Sequence, residues 1–242
     1  MNIALIGYGK MGKEIEKVAL EREHNIGAKI NSEKELHDTN WESIDVAIDF
    51  STPEAVLNNI YFLIDKHIPG VIGTTGWNHA IKDVTEKVKA TNMGLVHASN
   101  FSLGVNLFFE LNEQLAQLMA PHEDYAVSME ETHHTEKRDA PSGTAITLAE
   151  GVIQHQPQYE DWFCPQGDKT SATASHAIQI DAIRKAAVKG THKIAYKSSI
   201  DSIKIEHEAH NRKGFALGAV IAAEWIPENQ GVFTMRDVLK NN

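Results

Sequence analysis

The amino-acid sequence predicts an α/β fold: a parallel sheet with helices on both faces, followed by a smaller α+β domain with a mixed open sheet. Two observations support this prediction. Over the first hundred of the 242 residues, short apolar runs alternate with helical patterns, which is typical of β-α-β units. Beyond about Val105, strand-like segments alternate apolar and polar residues, which indicates a half-buried sheet.

The first region contains five short apolar runs that we interpret as strands. They are Asn2–Gly7, Asn25–Ile30, Asp45–Phe50, Gly70–Gly73 and Gly94–Ala98. A helix follows the first strand, and its apolar face consists of Met11, Ile15, Val18 and Ala19. A further helix begins at Pro53 with Thr52 as its candidate cap. Sheets of this kind bind ligands at the carboxyl ends of their strands.

The second region is predicted to begin with a long helix over residues 105–120 and to continue as a sheet. Its strands are Tyr125–His133, His176–Ile183, His192–Ser198 and Ile203–His210. The segment Phe215–Trp225 then returns to a helical pattern. We therefore expect two domains, the second of which is a helix-covered mixed sheet.

Composition narrows the class of protein. The net charge of −10 opposes nucleic-acid binding, because phosphates require a basic surface. Cys164 is the only cysteine, so an internal disulfide or a thiolate zinc cluster is excluded, which fits a reducing cytosol. We find neither an 18-residue apolar run nor signal-peptide features, so we expect a cytoplasmic protein that does not bind membranes.

A glycine-rich turn follows the first strand directly and opens the first helix. Its residues are Gly7, Tyr8, Gly9, Lys10, Met11 and Gly12. The G-x-G-x-x-G spacing allows a tight turn, close approach of a pyrophosphate and close packing of helix on strand, while the helix amides bind the phosphates. A purely structural turn is the alternative. The position of the turn favours a Rossmann-like domain that binds NADH, NADPH or both.

The end of the second strand bears on the choice between these cofactors. An acidic residue there would bind the adenosine ribose and repel the 2′-phosphate of NADPH. The position holds Asn31, which can bond a hydroxyl and does not repel phosphate, with Lys29 and Lys34 close in sequence. Both cofactors remain open, and dual use is slightly favoured.

Small polar residues follow two further strands of the predicted sheet. They are Gly73, Thr74 and Thr75 after the fourth strand, and Ala98, Ser99, Asn100 and Phe101 after the fifth. These segments offer backbone and side-chain partners for a nicotinamide carboxamide, and the Phe101 ring could pack on the nicotinamide. The alternative is that they are simply loops. Their place at the ligand-binding edge favours a functional interpretation.

The densest run of chemically active side chains is Glu130–Ala145. Histidine suits proton transfer near neutral pH, so His133 is a candidate acid. Lys137, with the amides of Gly143 and Thr144 at a helix N-terminus, could bind carboxylates. Alternatively, the histidines are ordinary strand residues. No metal site is expected, because His133 and His134 are adjacent in a strand and point to opposite faces.

This run resembles the signature of the 4-hydroxy-tetrahydrodipicolinate reductase family. The matching positions are Glu131, His133, His134, Lys137 and Asp139–Ala145. Further resemblance lies in Asp49–Ser51, Gly73–Gly76, Asn100–Ser102, Gly104–Asn106, Arg184, Gly190, His192, Arg212, Phe215-Ala216, Gly218-Ala219 and Trp225. The matches are spread over most of the chain and occur in the order typical of the family.

The resemblance implies that the chain reduces 4-hydroxy-tetrahydrodipicolinate to tetrahydrodipicolinate by hydride transfer from NADH or NADPH, in lysine and diaminopimelate biosynthesis. It implies that His133 is the general acid and that Lys137 is either a second donor or a partner for the substrate's charge. It also implies that His134, Gly143 and Thr144 hold the substrate carboxylates. It also implies a homotetramer. The implied domains are residues 1–103 with 214–242 for the dinucleotide, and residues 104–213 for substrate and tetramerisation.

The sequence departs from the family where many members have arginine and histidine, because this chain has Thr135 and Glu136. An anion there should weaken dicarboxylate binding unless Glu136 faces outward. Two other functions were weighed. A semialdehyde dehydrogenase needs a cysteine nucleophile, for which only Cys164 is available. An inactive nucleotide-sensing module would be free to lose His133 and Lys137, yet both are present.

Overall fold

A computed structural model describes residues 1–167, 169–171 and 176–240 of the chain. The chain forms two compact units. The first comprises Met1–Asn106 together with the residues from Arg212 onward, and the second comprises Leu107–Asn211. Asn241 and Asn242, at the end of the predicted dinucleotide domain, lie outside the described residues.

The described residues form eleven strands and eight α-helices. The strands are β1 Asn2–Ile6, β2 Asn25–Ile30, β3 Val46–Asp49, β4 Gly70–Ile72, β5 Gly94–His97, β6 Ala126–His133, β7 Asp161–Phe163, β8 Ala177–Arg184, β9 Thr191–Lys197, β10 Ser202–Glu208 and β11 Gly231–Phe233. The helices are α1 Lys10–Glu21, α2 Glu33–Asp38, α3 Val56–Lys66, α4 Ile81–Thr91, α5 Leu103–Met119, α6 Gly143–His155, α7 Lys213–Trp225 and α8 Met235–Lys240. No described helix combines the length and apolar character needed to cross a membrane.

The first unit contains a six-stranded sheet in the order β11-β5-β4-β3-β1-β2, and every pair in it is parallel. The predicted Rossmann-like parallel sheet is therefore confirmed. The strand β11 was not predicted, since three residues are too few for a periodic pattern. Because β2 and β3 lie on opposite sides of β1, the chain reverses its direction of winding there, and such switch points form ligand crevices.

The side chains of β1 show why helices cover both faces of this sheet. Ile3 and Leu5 belong to one buried cluster, which includes residues of α1 and α7. Ala4 and Ile6 belong to another, which includes residues of α3 and α4. Successive strand residues point to opposite faces, so a strand buried on both faces must be apolar throughout.

The second unit contains a five-stranded sheet in the order β10-β9-β6-β8-β7. β6 pairs parallel with β8 and antiparallel with β9, so the predicted mixed sheet is confirmed. Alternate residues of β6, β8 and β9 are buried, and they share one core cluster with residues of α5 and α6. The short strand β7 was not predicted from the sequence.

Candidate active site

The glycine turn of the first unit can be formed only by glycine at two of its positions. Gly7 has φ of 89°, and a Cβ there would overlap the carbonyl of Phe50. A Cβ on Gly12 would overlap the carbonyl oxygen of Gly7, so glycine lets α1 begin against the turn. Gly9 precedes α1 without a capping side chain, and the exposed Lys10 is its first residue. The first amides of α1 can therefore meet an anion.

A cavity of about 720 Å³ opens beside this turn. Gly7, Tyr8, Gly9 and Asn31 line it, together with residues from α2 and from the segment that follows β3. The cavity lies at the carboxyl ends of β1, β2 and β3, where the winding reverses. The side-chain-free turn, the open helix terminus and the adjoining cavity fit a dinucleotide.

Hydrogen bonds of Asn31 and Tyr8 hold the glycine turn in place beside this cavity. The Asn31 side-chain oxygen accepts a hydrogen bond from the Tyr8 backbone N–H at 2.9 Å. The Tyr8 hydroxyl contacts Glu16 of α1 and accepts a hydrogen bond from Lys29. The glycine turn is therefore tied both to the end of β2 and to its own helix.

A buried carboxylate, Asp49, organises the neighbouring strand ends. It accepts hydrogen bonds from the hydroxyl of Ser51 at 2.7 Å, the hydroxyl of Thr74 at 2.6 Å and the side-chain amide of Asn59 at 2.8 Å. Burial raises the pKa of Asp49, although these donors lower it in part. The Thr74 hydroxyl is thus engaged within the protein, which leaves the backbone of this loop for a cofactor.

The other predicted cofactor residues follow β4 and β5. Gly73 packs against the Phe50 ring, and Thr75 is exposed. Ser99 is exposed, and the Asn100 side chain accepts a hydrogen bond from the Ser102 backbone N–H. Met11 is half-buried on α1, and Ala98 is half-buried directly after β5.

Phe101 does not have the role that the sequence suggested. Its side chain is only 2% exposed and belongs to the core cluster of the first unit. The ring contacts Phe50 at a centroid distance of 5.8 Å, and the Phe101 carbonyl packs against Gly218 of α7. A ring in this position supports the loop from within and has no open face on which a nicotinamide could pack.

In the second unit, sheet register assembles a charged cluster around the end of β6. Glu131 and His133 lie two residues apart and therefore share a face of the strand. The parallel register of β8 places Arg184 opposite His133, and the antiparallel register of β9 places His192 opposite Glu131. The cluster therefore contains four residues from three strands: Glu131, His133, Arg184 and His192.

Glu131 is fully buried at the centre of this cluster. Both of its oxygens lie 3.1 Å from the backbone N–H of Ser142, and the guanidinium of Arg184 donates to one of them at 3.1 Å. Burial, the largest single influence, would raise the pKa of Glu131. The imidazole of His133 and the donors of Ser142 outweigh it and lower the pKa to about 2. The carboxylate is therefore ionised at neutral pH.

His133 presents Nδ1 to this carboxylate at 3.3 Å. The contact is one of charge, because within the described part of the chain the buried Nδ1 has no partner with hydrogen-bond geometry. The His133 imidazole therefore lies beside the negative charge of Glu131. Histidine is the side chain that most often acts as a general acid.

His192 packs against His133 with ring centroids 5.1 Å apart. Burial, and then the neighbouring His133, lower the pKa of His192 to about 4. Its Nε2 lies 3.1 Å from the hydroxyl of Ser142. At neutral pH His192 is thus an uncharged support that does not compete with His133 for the proton. Glu131, His133 and His192 have metal-ligand chemistry, but the Arg184 cation beside Glu131 opposes a bound metal.

Lys137 lies in the loop between β6 and α6, where its ammonium donates to Asp139 at 2.7 Å. Arg184 fixes this loop, because it donates to the backbone carbonyls of Lys137 at 3.4 Å and Asp139 at 2.5 Å. Glu136, which replaces a cation common in the family, is exposed. We therefore expect it to oppose anion binding only weakly.

The N-terminus of α6 provides an anion-binding position in the same unit. Ser142 caps the helix by accepting from the N–H of Ala145 at 3.2 Å. Gly143 is exposed, and no atom lies within 4 Å of the place where its Cβ would stand, while Thr144 is half-buried. The Nδ1 of His134 is buried and lacks a hydrogen-bond partner among the described residues. These groups can receive a carboxylate.

Several residues of these sites were not assigned a role from the sequence. In the first unit they are Asp49, Ser51 and Asn59; in the second they are Glu131, Ser142, Arg184 and His192. The two-residue spacing of Glu131 and His133 was a usable signal, because it places both on one strand face. Arg184 and His192 carried no comparable signal, since only the register of the sheet brings them to Glu131.

Comparison with known proteins agrees with this arrangement. Residues 1–101 match the family model of the dihydrodipicolinate reductase N-terminus, and residues 104–239 match that of the C-terminus. Two reductases of 4-hydroxy-tetrahydrodipicolinate align with essentially the whole chain. The one from Christiangramia forsetii is 48% identical, covering 100% of this chain and 98% of the relative, and the one from Rickettsia bellii is 37% identical, covering 100% and 95%.

A similar solved structure is a dihydrodipicolinate reductase from Paenisporosarcina sp. with dipicolinate bound. It has a TM-score of 0.74 and 23% identity, and the alignment covers 97% of each chain, so it supports the fold. Both halves of the chain match their family models, and the full-length relatives exceed 30% identity. The chain therefore belongs to the dihydrodipicolinate reductase family, also named 4-hydroxy-tetrahydrodipicolinate reductase.

Proposed function

We propose that this chain reduces 4-hydroxy-tetrahydrodipicolinate to tetrahydrodipicolinate with NADH or NADPH, in lysine and diaminopimelate biosynthesis. One observation carries the proposal: His133, held against the ionised Glu131, shares a unit with Lys137 and the N-terminus of α6. A proton donor and a carboxylate-binding position are what a dicarboxylic cyclic imine requires from a reductase.

The first unit holds the dinucleotide. The turn from Gly7 to Gly12 and the first amides of α1 receive the pyrophosphate, and the end of β2 at Asn31 meets the adenosine ribose. The backbone of residues 73–75 and 98–101 is assigned to the nicotinamide end. When bound, the nicotinamide ring would supply a hydride to the conjugated imine that forms when the substrate loses its 4-hydroxyl group as water.

The second unit holds the substrate and supplies the proton. Gly143, Thr144 and His134 bind carboxylate groups, and Lys137 adds a positive charge to the same anion. His133 delivers a proton to the reduced ring, and Glu131 stabilises the imidazolium before that transfer. Arg184 acts through Lys137, whose backbone it holds. We assign substrate binding and assembly to residues 104–213, and propose a cytoplasmic homotetramer, which sedimentation velocity would measure.

The test is oxidation of each reduced cofactor in the presence of freshly generated 4-hydroxy-tetrahydrodipicolinate. His133→Ala and Lys137→Ala should each lower turnover on the order of a hundredfold, the usual scale for general acids. His122→Ala is a matched control, because His122 is an exposed histidine of the same unit. Unchanged turnover in His133→Ala would remove the proposed donor, and absence of wild-type turnover would reject the function.

The semialdehyde dehydrogenase alternative is not favoured by the environment of Cys164. This cysteine is fully buried, and burial raises the pKa of its thiol, whereas a nucleophilic cysteine needs exposure and a lowered pKa. Cys164→Ser should therefore retain full reductase activity.

A further inference from the structure

The cavity beside the glycine turn is lined by negatively charged side chains. Three carboxylates line it, those of Glu33, Glu54 and Asp65, and none of its described lining residues is a lysine or an arginine. The whole chain carries a net charge of −10, so the surrounding surface adds no compensating positive field. A cofactor that brings an additional phosphate into this cavity meets repulsion without a cation.

The end of β2, where the adenosine ribose binds in this fold, is bordered by acidic residues. The backbone N–H of Asn31 donates to the Glu35 carboxylate at 2.5 Å, and its side-chain oxygen accepts from Tyr8. The Glu35 N–H in turn donates to the hydroxyl of Ser32, so the carboxylate of Glu35 is anchored at both ends of this short segment. Asn31 itself is uncharged, but its immediate surroundings are anionic.

The cations that the sequence places nearby do not offset these carboxylates. The ammonium of Lys29 lies 2.6 Å from a Glu16 oxygen and 4.5 Å from the centre of the Tyr8 ring, so its charge is already neutralised. Lys34 and Glu35 are both exposed on α2 and neither lines the cavity, so Lys34 can offset only one of the two charges of Glu33 and Glu35. The local balance at the ribose end is negative.

We propose that Glu33 and Glu35 make this chain selective for NADH over NADPH. The inference rests on the proposed function, because it takes the cavity to be the adenosine site. A ribose hydroxyl can be received by the Asn31 amide, whereas a 2′-phosphate adds nearly two negative charges beside Glu33 and Glu35. Selectivity is thus achieved by repulsion of the wrong cofactor. It narrows the choice between NADH and NADPH that the position of Asn31 left open.

The experiment measures binding of NADH and NADPH to the purified chain without substrate, by nicotinamide fluorescence, at low and at high salt. NADH should bind on the order of tenfold more tightly at low salt, and the ratio should shrink at high salt because exposed charges are screened. Glu33→Gln with Glu35→Gln should bring the two dissociation constants within about threefold of each other, chiefly by tightening NADPH binding. Glutamine can still accept the Asn31 hydrogen bond.

Glu86→Gln serves as the matched control, because Glu86 is an exposed glutamate on α4 of the same unit. It should leave the ratio unchanged. Equal affinity of the wild-type chain for both cofactors at low salt would overturn the inference. So would a preference for NADH that survives the double substitution. Failure of the proposed function appears separately, as cofactor binding with this selectivity but no oxidation when substrate is added.

Discussion

Each unit of the chain contains a fully buried carboxylate with a chemical role in its site, Asp49 in the first and Glu131 in the second. Within the described chain, Asp49 accepts hydrogen bonds from neutral hydroxyl and amide groups, and burial raises its pKa. Glu131 faces Arg184 and His133, and its pKa is lowered to about 2. The donors around Asp49 do not fully offset its desolvation, whereas the His133 imidazole and the donors of Ser142 outweigh desolvation at Glu131.

The difference between the pKa values of the two carboxylates fits the role proposed for each unit. Asp49 ties the strand ends of the cofactor site together, a task for which hydrogen-bond geometry is sufficient. Glu131 must remain ionised so that His133 can hold a proton for transfer, and that task requires a cation at its other oxygen. Arg184 provides this cation while it also holds the loop of Lys137.

The largest expected effect follows from neutralising Glu131. Its folded pKa of about 2 lies below its ordinary value of 4.5, so its stabilising contribution is present above pH 4.5 and is lost as pH falls towards 2. Glu131→Gln should therefore lower the free energy of unfolding by about 3 kcal/mol at pH 7. Urea unfolding at pH 7 and pH 4 measures this, and the difference should narrow at the lower pH.

The same substitution separates a positioning role from a structural one. Because the carboxylate lies 3.3 Å from the His133 imidazole, its removal should move the alkaline limb of the kcat profile. KM for the substrate should change less than kcat. A uniform loss of activity at every pH, with no movement of that limb, would show that Glu131 only maintains the fold.

A somewhat smaller effect is expected at His192. Its folded pKa of about 4 lies below its ordinary value of 6.5, so the unfolded chain binds the proton first and stability falls as pH drops from 6.5 to 4. The charged or titratable groups around it are His133, Glu131, His207 and Lys137. His192→Gln should remove up to about 3 kcal/mol of this pH dependence. Urea unfolding from pH 7 to pH 4.5, with His122→Gln as the exposed control, provides the measurement.

A third substitution tests the hydrogen bonds that the guanidinium of Arg184 donates. Arg184→Lys keeps the charge but should not reach Glu131 and two backbone carbonyls at once, because the donors of an ammonium share one nitrogen whereas Arg184 donates from two. The loop of Lys137 should lose its position, and kcat should fall about tenfold, as is usual when a supporting partner is removed. Steady-state kinetics measures the change. Wild-type kcat in this variant would mean that charge alone is sufficient at this position.

The sequence predicted the fold well where the signal is local. The parallel sheet followed from apolar runs such as Asn2–Gly7, since strands buried on both faces are continuously apolar. The strands β7 and β11 were missed because three residues hold no periodicity. The second sheet was predicted as mixed, and its alternating burial agrees with that prediction.

The two sites also differ in whether their sequence signal is local. The glycine turn is contiguous, so its residues could be assigned a role from spacing alone. Arg184 and His192 are separated from Glu131 by more than fifty residues, and only the pairing of β6 with β8 and β9 brings them to it. The prediction for Phe101 was wrong because the residue type does not indicate whether the ring faces the cofactor site or the core.

The smallest effect is expected at Asp49, and its pH dependence should have the opposite sign to that of Glu131. Because the folded pKa of Asp49 is raised above its ordinary 3.8, the wild-type residue stabilises the fold at low pH, and that contribution is lost as pH rises through the folded pKa. Asp49→Asn keeps one acceptor oxygen for Ser51 and Thr74, and Asn59 can turn its amide to meet the new donor. Its cost should be about 1 kcal/mol at pH 7 and should grow on acidification to pH 4, while that of Glu131→Gln shrinks. Urea unfolding of the two variants at pH 7 and pH 4 measures the loss of stability in each. If both losses change in the same direction with pH, the two carboxylates do not differ in their electrostatic surroundings.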